Sequence, residues 1–163
     1  MEMLVSMLAV LAVALLGLVA GVFFAFSVSV LPALNRVPAS SAVTGMRSIN
    51  RVIQNPVFFA VFFGAALVPL LAATGFLLQG AHLPGLALAA AGAIYLLGAF
   101  APTVVVNVPL NNALEAAGEP ADSHAAVEYW AAFAPRWHRW NTVRAASSTL
   151  SLVVGLCGIV WAG

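Results

Sequence analysis

Apolar residues run through this chain in four long stretches, about 3–34, 56–78, 84–108 and 135–162, separated by short polar connections. A helix crossing the hydrocarbon core of a bilayer needs about 20 mostly apolar residues. Each stretch is therefore predicted to be a spanning helix. The expected fold is all-α: an integral membrane four-helix bundle forming a single domain over residues 1–163, with short amphipathic interfacial helices. In the first connection, residues 42–54 put Met46, Ile49 and Ile53 on one helical face and Arg47 and Arg51 on another, which predicts an interfacial helix.

Local signals mark the ends. Pro32 and Pro38 close the first span, and Asn55-Pro56 supplies a cap and first-turn residue for the second. Pro69 predicts a kink in the second span, Pro102 lies within the third, and Gly118 is the expected stop after it. Asp122 or Ser123 can cap a further helix, which Pro135 is expected to interrupt. Gly17 and Gly21 form a small-xxx-small pair, a device for close helix approach in lipid.

Charge then sets direction. All six basic residues are arginines, confined to Arg36–Arg51 and Arg136–Arg144. No charged residue lies between Arg51 and Glu115, and none follows Arg144. The positive-inside rule puts the first and third connections in the cytoplasm and both termini on the outer side of a cell membrane. The chain is 63% hydrophobic and 7% charged, against about a quarter charged in soluble domains. With a net charge of +1 and no basic tail, nucleic acid is excluded as a partner. Met1-Glu2-Met3 lacks a basic region, so the first stretch is expected to be a retained span rather than a cleaved signal. The single cysteine, Cys157, forms no internal disulfide.

Polar side chains gather in the arginine-bearing halves of the spans. The first span brings Ser27, Ser29 and Asn35, and the approach to the second brings Asn50 and Asn55. Thr103, Asn107 and Asn111 are spaced four apart and predict one stripe. At helical spacing Trp137, Trp140, Asn141, Arg144, Ser148 and Ser151 share a face about 100° wide. Such a face is costly in lipid and should look inward. The expectation is a polar, aromatic-lined pocket enclosed by the four helices near the inner leaflet, with a ligand to be sought between the first, third and fourth spans.

Plainer roles compete for the same residues. Trp137 and Trp140 beside Arg136 and Arg139 also describe an interfacial belt, and Arg144 can snorkel to headgroups because its Cβ tilts toward the helix N-terminus. Asn107 points back into the bilayer and needs a partner. That partner can be another helix, worth about 1 kcal/mol or less, or the Val105 carbonyl freed by Pro109. His82 lies at the opposite end from His124 and His138, so no two-histidine clamp forms, and no metal or other cofactor is expected. Neither a phosphate loop nor a nucleophile elbow occurs. Glu115, Glu119, Asp122 and Glu128 are expected as solvated loop charges.

Several motifs together resemble the anthrone-oxygenase-like family of small four-helix membrane proteins. They are Gly21 to Ser27, Leu31-Pro32-Ala33-Leu34, Met46 through Asn50, Asn55-Pro56, Asn107 to Asn111, and Trp137-x-x-Trp140-Asn141-x-x-Arg144. The resemblance covers nearly the whole chain. It implies a cofactor-independent oxygenase that converts anthrones to anthraquinones without metal or flavin, acting on a lipophilic aromatic or quinone-like compound. On that reading Asn107 and Arg144 are the catalytic candidates, stabilising a developing oxyanion. Phe24, Ser27, Asn50, Thr103, Asn111, Trp137, Trp140, Asn141 and Ser148 are the substrate-binding candidates. Glu128, His138 or water would have to act as base. The expected partners are the lipid bilayer and a lipophilic small molecule; a homo-oligomer is compatible with the sequence. The competing reading is a non-catalytic membrane protein that binds a lipid or quinone, or an accessory subunit. A carrier ranks last, because no internal repeat is present.

Overall fold

The structure, a computed structural model, describes residues 2–162. Five helices account for its regular structure: α1 Glu2–Leu34, α2 Ala39–Ile53, α3 Pro56–Leu78, α4 His82–Ala116 and α5 Ser123–Val160. No strand occurs among the described residues. Helices α1, α3, α4 and α5 are long and apolar enough to cross a membrane. Both α1 and α4 pack against α3 and α5, so the bundle is ordered α1–α3–α4–α5 around its axis. Val5, Ala72, Phe76 and Leu88 fill one end of the core, Leu16, Val19, Phe62 and Tyr95 the middle, and Leu31, Met46, Leu114 and Trp137 the arginine-bearing end.

The ends follow local chemistry. Asn55 Oδ1 accepts from the Phe58 N–H at 3.0 Å, with Pro56 in the first turn of α3. Asp122, rather than Ser123, caps α5 by accepting from the Ala125 N–H at 2.9 Å. Gly118 adopts φ +72° just past α4, a left-handed conformation that glycine takes without a Cβ clash.

Helix α1 ends at Leu34, between Pro32 and Pro38, as expected, and prolines within the long helices are accommodated without a break. Three π turns occur, at Phe26–Val30, Leu96–Phe100 and Thr103–Asn107, closed by the N–H groups of Leu31, Ala101 and Val108. The next residue in each case is a proline: Pro32, Pro102 and Pro109. Proline lacks an N–H and its ring crowds the carbonyl four residues back. Widening the preceding turn relieves that crowding and keeps the helix continuous. α3 likewise continues unbroken through Pro69, and α5 through Pro135. The interruption expected at Pro135 does not occur, because the Ala131 carbonyl that Pro135 frees lies on an exposed surface.

Two further expectations change. A Cβ on Gly21 would meet nothing within 4 Å, so the Gly17/Gly21 pair is not a close-approach seam. Close glycine contacts lie elsewhere, the tightest where Gly98 of α4 sits directly against Ser147 of α5. Nor are Glu115 and Glu119 free loop charges. Arg47 bonds Glu119 at 2.9 Å and Glu115 at 3.2 Å, and Arg51 also reaches Glu115. Arg47 therefore belongs to the buried side of α2, with Val43, Met46 and Asn50, instead of the solvent face. Its hydrogen bond to Glu115, stronger in effect than the desolvation that opposes it, holds the guanidinium above its ordinary range.

Gly98→Ala is expected to lower bundle stability by about 1–3 kcal/mol, the usual range for overpacking, because the new methyl collides with Ser147. Apparent melting temperature in detergent measures it, and adding Ser147→Gly should restore most of the loss.

Candidate functional site: a buried guanidinium beside an aromatic cavity

A cavity of about 320 Å³ opens inside the arginine-bearing half of the bundle, a size in the range of small-molecule pockets. Phe23 and Phe26 of α1, Phe58, Phe62 and Phe63 of α3, Phe100 of α4 and Trp137 of α5 form its walls. Phe62 stacks on Phe100 with ring centroids 5.1 Å apart, and Phe26 meets Trp137 at 5.6 Å. Helix α2 contributes Asn50 and Ile53, and Gln54 just beyond it, at the end nearest the connections.

The cation at this site is Arg144, only 5% exposed. Its guanidinium carbon lies 4.4 Å from the Phe23 ring centroid and 5.2 Å from that of Trp137. Such contacts are worth about 2 kcal/mol or more once water is excluded. One terminal nitrogen donates to Thr103 Oγ1 at 3.0 Å, and the other to Asn141 Oδ1 at 2.8 Å. Among the described residues no carboxylate pairs with it. Its Nε has no protein acceptor. Arg144 thus points into the bundle and does not snorkel.

Asn141 holds this arrangement across helices. Its amide nitrogen donates to the Phe23 carbonyl at 2.8 Å and to Ser27 Oγ at 2.7 Å, while its oxygen faces Arg144. Trp137 is buried, and its indole N–H donates to Asn111 Oδ1 at 2.8 Å. It is a wall of the site rather than part of a surface belt. Asn50 is also buried, lines the cavity, and leaves its Nδ2 donor without a partner.

The structure brings Asn50, Thr103, Asn111, Trp137, Asn141 and Arg144 together around the cavity. Ser27 stands behind Asn141 as its acceptor. Four other sequence candidates lie elsewhere. Phe24 is 57% exposed and faces outward; its neighbour Phe23 occupies the site, because one helical step turns a side chain through about 100°. Trp140 is half-buried and outside the cavity lining. Ser148 is fully buried one turn deeper on α5 and does not line the cavity. Asn107, 1% exposed, also stands behind the wall, where its amide donates to the Trp137 carbonyl at 3.3 Å. No side chain among the described residues bonds the Val105 carbonyl.

Sequence reasoning missed the aromatic wall from α3. Its signal is the pairing of Phe58-Phe59 with Phe62-Phe63 at a spacing of four, which sets two phenylalanines on each of two adjacent stripes. No group of three His, Cys, Asp or Glu side chains among the described residues could hold a metal ion.

These features define a membrane-type helix bundle enclosing a largely apolar cavity with one desolvated cation at its wall. The chain belongs to the anthrone oxygenase family, whose model matches residues 57–154, more than half of the 163. The match takes in α3, α4 and the part of α5 that carries Arg144. No curated protein and no solved structure matches the chain significantly.

Arg144→Met is expected to change the melting temperature little, because relief of the cost of burying a charge is offset by leaving the buried Asn141 oxygen without its donor, about 1–3 kcal/mol. Asn141→Leu should lower it by about 2–4 kcal/mol, since it strands the guanidinium and two α1 groups. Paired thermal melts of the two variants check this contrast.

Proposed function

We propose that this protein is a membrane-embedded, cofactor-independent oxygenase that acts on a lipophilic aromatic ketone of the anthrone or quinone-like type. The observation that carries the reading is Arg144: a guanidinium removed from water, without a carboxylate, held at the wall of an aromatic cavity. Membership of the anthrone oxygenase family supports the same chemistry.

The cavity suits such a substrate. Flat rings stack between phenylalanine and tryptophan faces, and a carbonyl oxygen can meet the guanidinium. Removing a proton from the methylene opposite that carbonyl leaves an enolate whose charge gathers on the oxygen. A preorganised cation in a dry site stabilises that charge far more than water would. The electron-rich enolate then passes an electron to dioxygen. One oxygen atom becomes the new carbonyl and the other leaves as water with the two methylene hydrogens. In this scheme Arg144 is the catalytic residue. Thr103 and Asn141 orient it, and Trp137 and Asn111 form the adjoining wall. Asn107 is a positioning residue that acts through the Trp137 backbone.

A second reading rests on a specific feature of the lining. Neither a carboxylate nor an imidazole is among the cavity residues, so proton removal falls to water or to the substrate's own acidity. A protein that only binds a quinone or aromatic lipid would need no base.

Oxygen uptake separates the two. Metal-free protein given emodin anthrone should consume oxygen faster than detergent buffer, and Arg144→Gln should lose about 100- to 1,000-fold of that excess. Asn107→Ala should lose less. Wild-type rates in folded Arg144→Gln would remove Arg144 from the chemistry, and no excess uptake at all would leave the binding reading.

A further inference from the structure

The cavity is not sealed on all sides. Helices α3 and α4 pack closely over the half away from the arginines, meet sparsely over Leu96–Phe100 and part beyond Phe100, along the stretch in which α4 carries its two π turns. Along this gap the cavity residues are also surface residues. Phe59 and Phe63 of α3 are 40% and 48% exposed, and Val104 and Val108 of α4 are 50% and 42% exposed. The Phe62–Phe100 stack closes the deep end of the slot. At the other end two exposed amides, Gln54 and Asn112, form a polar lip. Exposed phenylalanines one to two turns inside α3, and valines two to three turns inside α4, lie at hydrocarbon depth in a spanning bundle.

The side toward the connections is covered. Helix α2 lays Asn50 and Ile53 over the cavity and is fastened to α4 through Arg47 and Arg51 on Glu115 and Glu119. Trp130 of α5 bonds Asn35 at 2.8 Å beyond it.

We infer that the cavity is filled sideways from the bilayer, through the slot between Phe59/Phe63 and Val104/Val108, by an amphiphile with a flat aromatic body and one polar edge. The body slides past apolar jambs without meeting water. The polar edge passes along Gln54 and Asn112 and then reaches the Asn50 amide and the Arg144 guanidinium, cavity-lining groups that each keep one buried N–H without a partner among the described residues. This inference rests on the cavity being the ligand site, as proposed above, and adds its route and the membrane as its source.

The test uses the protein in lipid nanodiscs with 1,8-dihydroxyanthraquinone, whose visible absorbance reports binding by stopped flow. Val104→Trp should slow both association and dissociation, each by about tenfold, as expected for an obstructed gate. Val105→Trp, one residue away on a 66% exposed lipid-facing position outside the cavity, should change neither rate. Phe63→Ala should speed both, which keeps the test open if the tryptophan variant folds poorly. Arg144→Gln should instead speed dissociation alone. A sulfonated, water-soluble anthraquinone should bind far more slowly than the membrane-dissolved probe.

If Val104→Trp matches Val105→Trp and Phe63→Ala matches wild type, while Arg144→Gln still weakens binding, the route is wrong and the site stands. Equally fast binding of the sulfonated dye also overturns the route. If wild type fails to bind the probe, or Arg144→Gln binds it as wild type does, site and route fall together.

Discussion

A cation buried at the wall of a spanning bundle, with no carboxylate to neutralise it, constrains everything around it. Taking an ion of that size out of water costs several kcal/mol even after the protein relaxes. The offset comes from two aromatic faces and two oxygen acceptors, Thr103 Oγ1 and Asn141 Oδ1. Those acceptors must be held from other quarters, so Asn141 is anchored to α1 through Phe23 and Ser27, and Thr103 is presented by α4. Three helices are thereby keyed to one side chain. The arrangement favours any ligand that brings negative charge or a strong acceptor to the guanidinium, whose Nε has no partner among the described residues.

Much of the fold was legible because lipid imposes simple rules. Backbone groups must bond within their own segment, so apolar runs of adequate length had to be helices, and the four runs are the four long helices. The inward face of α5 was equally readable, since Trp137, Asn141, Arg144, Ser148 and Ser151 are all buried. Where the reading slipped, helical phase slipped with it. Thr103, Asn107 and Asn111 share a stripe on a regular helix, yet Thr103 and Asn111 line the cavity while Asn107 does not. The π turn over Thr103–Asn107 breaks the four-residue register that the stripe assumed. Phe24 and Phe23 differ by a single step of the same kind. Tertiary pairing was harder still. Nothing in the spacing of Arg47 and Glu115 announces that they meet, and so α2 read as a helix with a charged outer face rather than a cover.

Proline placement links this local chemistry to the shape of the site. Three of the chain's prolines follow directly on π turns, and those turns cluster at the level of the cavity, not at the opposite end. Widened turns are rare in proteins and recur at functional positions. In this bundle they accompany the point at which α4 leaves α3 and a void becomes available. A regular pair of helices would continue to close on each other with ordinary side-chain packing.

The pairing of α2 with the end of α4 has a consequence for how such a chain is made. Arg36, Arg47 and Arg51 leave the ribosome long before Glu115 and Glu119 exist. An insertion machinery that weighs early positive charge therefore meets three unmatched arginines. In the finished protein two of them are neutralised by acids from the far side of another hairpin. Two residues that the positive-inside rule reads are, in the folded chain, the fastening of α2. A rule that weighs early positive charge thus counts arginines that the folded chain displays already paired.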